Sequence, residues 1–184
     1  MKGLIILVDG FEDVEALATI DVLRRALIQL DMVSLDKKEI TTQSKNIIKV
    51  PYLINEIDCK TYDFLIIPGG KAVFNILDKD SRIDDIITNF YINNKLICAI
   101  CAAPRLLAKH GYFKNNKYTS FPECVDEQYL DTRIEDGVVI SGTLITAKSM
   151  YYSIDFALAI IEKLCGKELK EKVLKQIKGE MKWK

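Results

Sequence analysis

The sequence predicts an α/β domain built on a mostly parallel sheet with helices on both faces. Short apolar runs alternate with stretches whose apolar residues recur at helical spacing, as at positions 14, 17, 18, 22, 23, 26, 27 and 30. The runs Leu4–Val8 and Asp63–Ile67 are typical of strands buried on both faces. The 184 residues suffice for one well-packed core, so we expect residues 1–184 to form a single domain.

The other predicted elements follow from the same periodicities and from turn-forming residues. They are a strand at Met32–Leu35, an edge hairpin from Ile40–Thr42 and Ile47–Leu53, helices near Lys71–Phe74 and over 80–94, a strand at Cys98–Cys101 with a helix to Lys109, a short strand at Tyr118–Phe121, a hairpin of Arg133–Glu135 and Val138–Ile140 around Asp136-Gly137, a core strand at Leu144–Ala147, a helix at Ile154–Leu164 and a Lys-rich helix to the C-terminus.

Composition restricts the classes of function. The chain has 26 basic and 26 acidic residues, so its net charge predicts neither a nucleic-acid partner nor a membrane surface. No apolar run is long enough to span a bilayer. Met1–Gly3 leads into a short apolar run followed by acids, which indicates a first strand and not a signal peptide. We therefore expect a cytoplasmic protein whose five scattered cysteines are reduced.

The segment Leu96–Leu107 predicts a cysteine nucleophile elbow. An apolar run enters, small residues follow, and a helical pattern leaves through Pro104, which suits the first turn of a helix. Cys101 would lie on the sharp turn between strand and helix, where hydrolases place serine. Free N–H groups at the start of the helix would lower the pKa of its thiol. The alternative is that Cys101 is a small buried hydrophobe.

Residues suited to chemistry follow three of the predicted parallel strands. Asp9–Glu15 follows the first strand, Gly69 and Gly70 follow the next buried one, and Cys101 ends the third. Because the carboxyl ends of parallel strands share one edge, these residues should converge, which favours a catalytic Cys101. The backbone N–H groups of Gly69, Gly70 and Ala102 could form an oxyanion hole, although a glycine turn alone is weak support.

A carboxyl beside the thiol would complete the site. Glu15 can turn back toward the strand ends, and partial burial would raise its pKa. Glu12 and Asp13 share the first turn of the same helix, and all three acids could equally be solvated. Spacing alone does not choose among them.

The remaining candidates are weaker. His110 follows Cys101 by nine residues, about 13 Å along a helix with a ~1.5 Å rise per residue, which excludes a Cys-His dyad within one chain. Cys98 should belong to the core. Cys124 could lie near the site as a resolving thiol, although a passive role is more common. We expect no metal and no cofactor.

Several segments carry a family resemblance. They are residues 9–15, 21–25, 65–70, 99–104 and 154–158. With them the chain resembles the ThiJ/PfpI family, in the branch of the parkinsonism-associated protein deglycase and its small bacterial relatives. The resemblance implies a flavodoxin-like three-layer sandwich and a homodimer. It also implies that Cys101 is the reactive, easily oxidised cysteine, that Glu15 is its carboxyl partner, and that Gly70 and Ala102 supply backbone donors.

Two segments depart from the family pattern. Phe121, followed by Pro122, stands where many relatives carry histidine or another polar residue. Ser149–Tyr152 replaces a Gly-Pro-Gly-Thr-like stretch. Both border the cysteine pocket in relatives, so we expect Phe121, Pro122 and Tyr152 to shape it. Ala102 stands where the protease-like branch has histidine, which argues against amidase or peptidase activity.

Two functions remain open. In the first, a cofactor-free enzyme of glyoxalase or deglycase type uses Cys101 to attack a small reactive carbonyl while Glu15 shuttles a proton. In the second, a redox sensor or protective, chaperone-like protein uses oxidation of Cys101, with Glu15 bonding the new oxygens. In either case we expect a homodimer without nucleic-acid or membrane partners. The apolar residues 17, 18, 20, 22 and 23, followed by Arg24 and Arg25, suggest the first helix as its interface.

Overall fold

The computed structural model describes residues 1–181 and has the predicted α/β architecture. Among these residues, the main sheet has seven strands in the spatial order β5-β2-β1-β6-β7-β9-β8, and all neighbours are parallel except β9 and β8. The strands, with β3 and β4 in a separate pair, are β1 (Lys2–Ile6), β2 (Gln29–Ser34), β3 (Glu39–Thr41), β4 (Ile47–Lys49), β5 (Tyr52–Leu53), β6 (Phe64–Ile67), β7 (Leu96–Ile100), β8 (Val138–Ser141) and β9 (Leu144–Ala147).

Helices cover both faces of the sheet, as the flavodoxin-like sandwich requires. The first helix leads from β1 to β2 in one direction across the sheet, and the third leads from β6 to β7 in the other. Because parallel crossovers are right-handed, opposite directions place these helices on opposite faces. The α-helices are α1 (Asp13–Arg25), α2 (Ala72–Asn75), α3 (Ser81–Ile92), α4 (Pro104–Ala108), α5 (Ser153–Cys165) and α6 (Lys167–Ile177).

The central strands are apolar because they are covered on both sides. Every residue of β6 and β7 is buried. Gly3 on β1 lets the Phe64 ring pack directly against the neighbouring strand, since a Cβ there would lie 2.0 Å from the ring. Among residues 1–181, no helix is both long enough and apolar enough to cross a membrane.

The hairpin predicted around Asp136-Gly137 is wrong. The antiparallel partner of β8 is β9, and Gly142 supplies the left-handed backbone of the turn between them, with φ 58°. Gly137 serves packing instead, because a Cβ there would lie 2.1 Å from the Tyr152 ring. Asp136-Gly137 therefore resembles a hairpin turn in the sequence, but its glycine is needed for the close contact with Tyr152.

The short strand predicted at Tyr118–Phe121 is also absent. Tyr118 makes only an isolated bridge with Arg133, and its ring stacks on Phe113. Hydrogen bonds hold the segment instead: the Thr119 N–H donates to Thr146 Oγ1 on β9, and the Phe121 N–H donates to the Cys101 carbonyl. The aromatic side chain of Tyr118 is thus buried by packing, and the segment does not pair as a strand.

The predicted edge hairpin is present in part, as the separate antiparallel pair β3 and β4. Tyr52–Leu53, predicted as the end of its second strand, instead form β5, which pairs in parallel with β2 at the edge of the main sheet. Asp13, at the start of α1, anchors the turn of the hairpin. The Asp13 carboxylate accepts hydrogen bonds from Thr42 Oγ1 at 2.6 Å, Asn46 Nδ2 at 2.8 Å and the Ser44 N–H at 3.1 Å. Burial opposes its ionisation, but these donors lower its pKa to about 2. The hairpin is therefore tied to α1 by an ionised carboxylate.

Replacing Asp13 with alanine should lower the free energy of unfolding by roughly 1–3 kcal/mol at pH 7, since buried donors lose their acceptor. The matched control is Asp21→Ala on the same helix, whose carboxylate pairs at 2.8 Å with Arg25 in an exposed position. That change should cost no more than about 1 kcal/mol. Urea denaturation measures both variants, and equal costs would contradict the anchoring role of Asp13.

Candidate functional site

The site lies where the direction of the crossovers reverses. β1, β6 and β7 are neighbours in the sheet, and their carboxyl ends lead into α1, into Pro68–Gly70 and into the turn at Cys101. In open α/β sheets such a switch point leaves a crevice that no crossover covers. The predicted convergence of the three segments is therefore present.

Cys101 has the strained backbone of an elbow. Its φ of 63° lies in the left-handed region, which costs a non-glycine residue on the order of 1–2 kcal/mol. Its N–H donates to the Ala147 carbonyl at 2.8 Å, and its own carbonyl accepts from the Phe121 N–H at 2.9 Å. Two hydrogen bonds thus hold the turn that presents the thiol.

Glu15 is the acid that faces the thiol, and 1% of its surface is exposed. Its Oε2 accepts a hydrogen bond from the Gly69 N–H at 2.7 Å, and its carboxyl interacts with the Cys101 side chain. A Cβ on Gly69 would lie 2.8 Å from both Cys101 Cβ and Glu15 Oε2. Glycine is therefore required where these two side chains meet.

The predicted role of Gly69 in an oxyanion hole needs correction. Its N–H is directed at Glu15 and holds the carboxyl in place. Gly70 and Ala102 do line the pocket at Cys101. Gly70 has φ 92°, and a Cβ there would lie 2.5 Å from the Gly10 carbonyl, so this turn also requires glycine.

The three acids of the first turn have separate roles. Glu12 caps α1 by accepting from the Glu15 N–H at 2.8 Å. Asp13 anchors the β3–β4 hairpin, and Glu15 faces the sulfur. The reading of all three as solvated acids is therefore wrong, because each carboxylate has a specific task.

Burial raises the pKa of Glu15 to about 7. Its interactions with Cys101 and the Gly69 N–H act in the opposite direction, and the negative charge of Glu12 adds to the increase. Glu15 is consequently poised to gain or lose a proton near neutral pH, as a general acid or base must.

The predicted lowering of the thiol pKa is wrong. Burial raises the pKa of Cys101, and the charge of an ionised Glu15 raises it further. The Ala102 N–H acts against these effects. The helix that was expected to stabilise a thiolate, α4, spans only Pro104–Ala108, so its dipole is small. The thiol therefore needs Glu15 as a proton acceptor.

Cys101 opens into a pocket of about 290 Å³. Pockets for drug-sized ligands occupy about 300–1,000 Å³, so this one suits a small molecule. A separate hollow of about 240 Å³ beside Phe113 and Tyr129 contains no cysteine. The residues that line the pocket at Cys101 are Glu12, Glu15, Gln43, Gly70, Lys71, Phe74, Cys101, Ala102, Phe121, Cys124, Ser149 and Met150.

The pocket matches the sequence expectation in part. Phe121 lines it, whereas Pro122 and Tyr152 lie outside the lining, and the Tyr152 ring packs against Gly137. Sequence analysis missed Gln43 and Lys71, which meet where Gln43 Oε1 accepts from the Lys71 N–H at 2.9 Å. Only the anchored hairpin brings these distant segments together.

Two further residues lie where they were expected. His110 Nε2 is 2.9 Å from Asp84 Oδ1 at the far end of α4, where it supports structure. Cys98 is fully buried in β7. Within residues 1–181, no group of three or more His, Cys, Asp or Glu side chains could hold a metal ion.

The raised pKa of Glu15 makes stability depend on pH. The folded state keeps this proton up to about pH 7, whereas an ordinary glutamate loses it near 4.5. Stability is therefore full below pH 4.5 and is lost as the pH rises toward 7, by up to about 3 kcal/mol. Glu15→Gln should remove this loss.

The test is the free energy of unfolding from pH 4.5 to 8, measured by urea denaturation. Relative to wild type, Glu15→Gln should gain stability from pH 4.5 to about pH 7, and the gain should level off above that pH. Glu168→Gln, which changes an exposed acid on α6, should follow the wild-type profile. A constant difference between Glu15→Gln and wild type would contradict the buried, proton-holding carboxyl.

Comparison with known proteins gives the family. The model of the DJ-1/PfpI family matches residues 1–163. Protein dj-1beta of Drosophila melanogaster is 33% identical over 180 residues, which cover 95% of each chain. Protein DJ-1 homolog B of Arabidopsis thaliana is also 33% identical, but this chain spans only 38% of its length.

Solved structures agree. The structure of oxidized DJ-1 from Toxoplasma gondii superposes with a TM-score of 0.88 at 29% identity, covering 96% of this chain and 97% of that one. Drosophila melanogaster DJ-1beta gives a TM-score of 0.87 at 31% identity, covering 96% and 98%. The chain therefore belongs to the DJ-1/PfpI family.

Proposed function

We propose that this protein is a cofactor-independent cysteine enzyme that acts on small reactive carbonyls, such as methylglyoxal or its adducts. The observation that carries the proposal is the pair formed by Cys101 and Glu15 in one pocket. Cys101 presents its thiol from a strained turn, and Glu15 is a buried carboxyl with a pKa of about 7. Membership of the DJ-1/PfpI family supports it.

The first step is the addition of sulfur to the aldehyde carbon. Glu15 takes the proton of the Cys101 thiol as the C–S bond forms, which explains how a thiol with a raised pKa can react. The electron pair of the C=O bond moves to oxygen, where the N–H groups of Gly70 and Ala102 can stabilise the charge. Glu15 then gives that oxygen the proton it took from sulfur, which forms a hemithioacetal and leaves the carboxylate able to act as a base again.

The second stage moves a proton between neighbouring carbons. Glu15 removes the proton from the carbon bound to sulfur and returns it to the adjacent carbon, while the hydroxyl proton passes to the neighbouring ketone oxygen, which converts the hemithioacetal into a thioester. Water then hydrolyses the thioester and releases the Cys101 thiol. The sum is methylglyoxal plus water to lactate, without gain or loss of electrons.

A redox sensor remains the second candidate. One specific observation favours it: Glu15 Oε1 is buried and has no hydrogen-bond partner among residues 1–181. A protonated carboxyl there could bond the oxygens of an oxidised Cys101. One of the structural relatives is an oxidized DJ-1 protein. Partner binding or stability would then be the output in place of turnover.

Methylglyoxal turnover should separate the two candidates. Wild type should produce lactate catalytically, while Cys101→Ser should fall to the uncatalysed rate and Glu15→Gln should lose at least about 100-fold in kcat. The matched control is Cys165→Ser, which changes a thiol at the end of α5, away from the pocket. Equal turnover in wild type and Cys101→Ser would sink the enzyme proposal.

We also propose a cytoplasmic, single-domain protein that forms homodimers through α1. Of the apolar residues expected at the interface, Ile20, Val22 and Leu23 are buried in the core. The exposed apolar positions of α1 are Val14 and Leu17, which are 42% and 39% exposed and lie one turn apart. A two-fold axis beside this turn would bury both.

Light scattering behind a sizing column tests the assembly. Wild type should have twice the single-chain mass of 20.9 kDa, and Leu17→Glu should move it toward that single-chain mass. Leu27→Glu is the control, since this residue is 93% exposed beyond the end of α1. A wild-type mass of one chain at micromolar concentration would end the dimer proposal.

A further inference from the structure

A second thiol shares the pocket of Cys101. Cys124 lines the same pocket and is half-buried, whereas Cys59, Cys98 and Cys165 do not line it. The carbonyl chemistry proposed above does not use Cys124. The role of this second thiol beside the nucleophile is therefore open to a separate explanation.

Two contacts hold the Cys124 segment over the elbow. Three residues before Cys124, the Phe121 N–H donates to the carbonyl of Cys101 itself at 2.9 Å. Two residues after it, Asp126 Oδ1 accepts from Arg105 Nη1 at 2.6 Å. Cys101 forms the turn before α4 and Arg105 lies in the first turn of α4, so the two ends of the segment are fastened to adjoining parts of the chain.

Arg105 also acts on the thiol itself. Burial raises the pKa of the Cys124 thiol, and the negative charges of Glu15 and Glu123 raise it further, while the positive charge of Arg105 partly offsets them. The guanidinium is fixed by Asp126 and by Asp78, whose Oδ2 accepts from Nε at 3.1 Å. The same side chain thus positions the segment, and its charge limits the increase in the pKa of Cys124, whose thiol proton needs an acceptor when its sulfur attacks.

We propose that Cys124 is the resolving thiol of Cys101 and closes an intramolecular disulfide after Cys101 has reacted with a hydroperoxide. The inference rests on the proposed role of Cys101 as the reactive thiol and does not depend on carbonyl turnover. Oxidation of Cys101 would then end in a disulfide with Cys124, which thiols can reduce.

The chemistry takes place in two steps. The sulfur of Cys101 attacks the terminal oxygen of the hydroperoxide and the O–O bond breaks, which oxidises sulfur to the sulfenic acid. Glu15 takes the thiol proton and passes it to the leaving oxygen, which departs as water or an alcohol. The sulfur of Cys124 then attacks the sulfur of Cys101, the S–S bond forms and the S–O bond breaks. The hydroxyl leaves as water with the proton of the Cys124 thiol, which Glu15 can relay.

The disulfide competes with further oxidation. A sulfenic acid that is not captured reacts with a second hydroperoxide and becomes a sulfinic acid, which thiols do not reduce. The segment from Phe121 to Asp126 lies on the surface apart from Cys124 and Val125, so its turn can adjust as the two sulfurs approach. Closure would therefore protect Cys101 from irreversible loss.

The experiment treats the full, reduced chain with one equivalent of hydrogen peroxide, blocks free thiols and maps peptides without reductant. Wild type should give a peptide linked through Cys101 and Cys124 that dithiothreitol releases. Cys124→Ser should lose the link and raise the yield of Cys101 sulfinic acid several-fold. Cys59→Ser and Cys165→Ser are matched controls and should keep both the link and the low sulfinic yield.

The outcomes separate this inference from the proposed enzyme. No Cys101–Cys124 link in wild type, with equal sulfinic yields in wild type and Cys124→Ser, overturns the resolving role even if methylglyoxal is turned over. A link that forms in a protein without methylglyoxal turnover supports the resolving role and removes the carbonyl proposal. A non-reducing gel identifies links between two chains, which would also count against the intramolecular disulfide.

Discussion

The site depends on one buried hydrogen bond, from the Gly69 N–H to Glu15. A carboxyl that is removed from water needs a donor, and this one comes from the end of β6 while the acid comes from α1. Because Gly69 has no side chain, the carboxyl can lie between that strand end and Cys101. Three neighbouring strand ends are thereby fixed in one arrangement. The strained backbone of Cys101 is tolerated because its surroundings are equally fixed.

Burial of the same carboxyl sets the electrostatics of the pocket. With burial raising the pKa of both Glu15 and Cys101, the two groups cannot both be ionised at neutral pH without strong repulsion. At neutral pH the favoured state of the pair therefore keeps at least one proton, on the sulfur or on the carboxyl. Such a pair can pass a proton from sulfur to carboxyl as a substrate bonds to sulfur. A thiolate stabilised by a helix terminus would not need this transfer, and α4 is too short to provide that stabilisation.

Sequence patterns predicted the parts of the fold that are set by burial over several residues. Five such features were predictable: the strands β1, β6 and β7, the helix α1 and the elbow at Cys101. In each, the spacing of the apolar residues and the residues that form the adjoining turn indicate the same structure. The role of Gly137 was not predictable, because glycine is required there by the Tyr152 ring, which lies fifteen residues further along the chain. The roles of Gly69 and of the three acids in the first turn of α1 depend on atoms from other segments, which spacing does not contain.

Three apolar side chains give the pocket its character: Phe121, Phe74 and Met150 all contribute to its lining. None of the lining residues is a histidine, and the one histidine of the chain pairs with Asp84 outside the pocket. Proton transfer at the sulfur therefore falls to Glu15. A mostly apolar pocket in which one buried carboxyl faces the sulfur favours small, weakly polar electrophiles over charged ones.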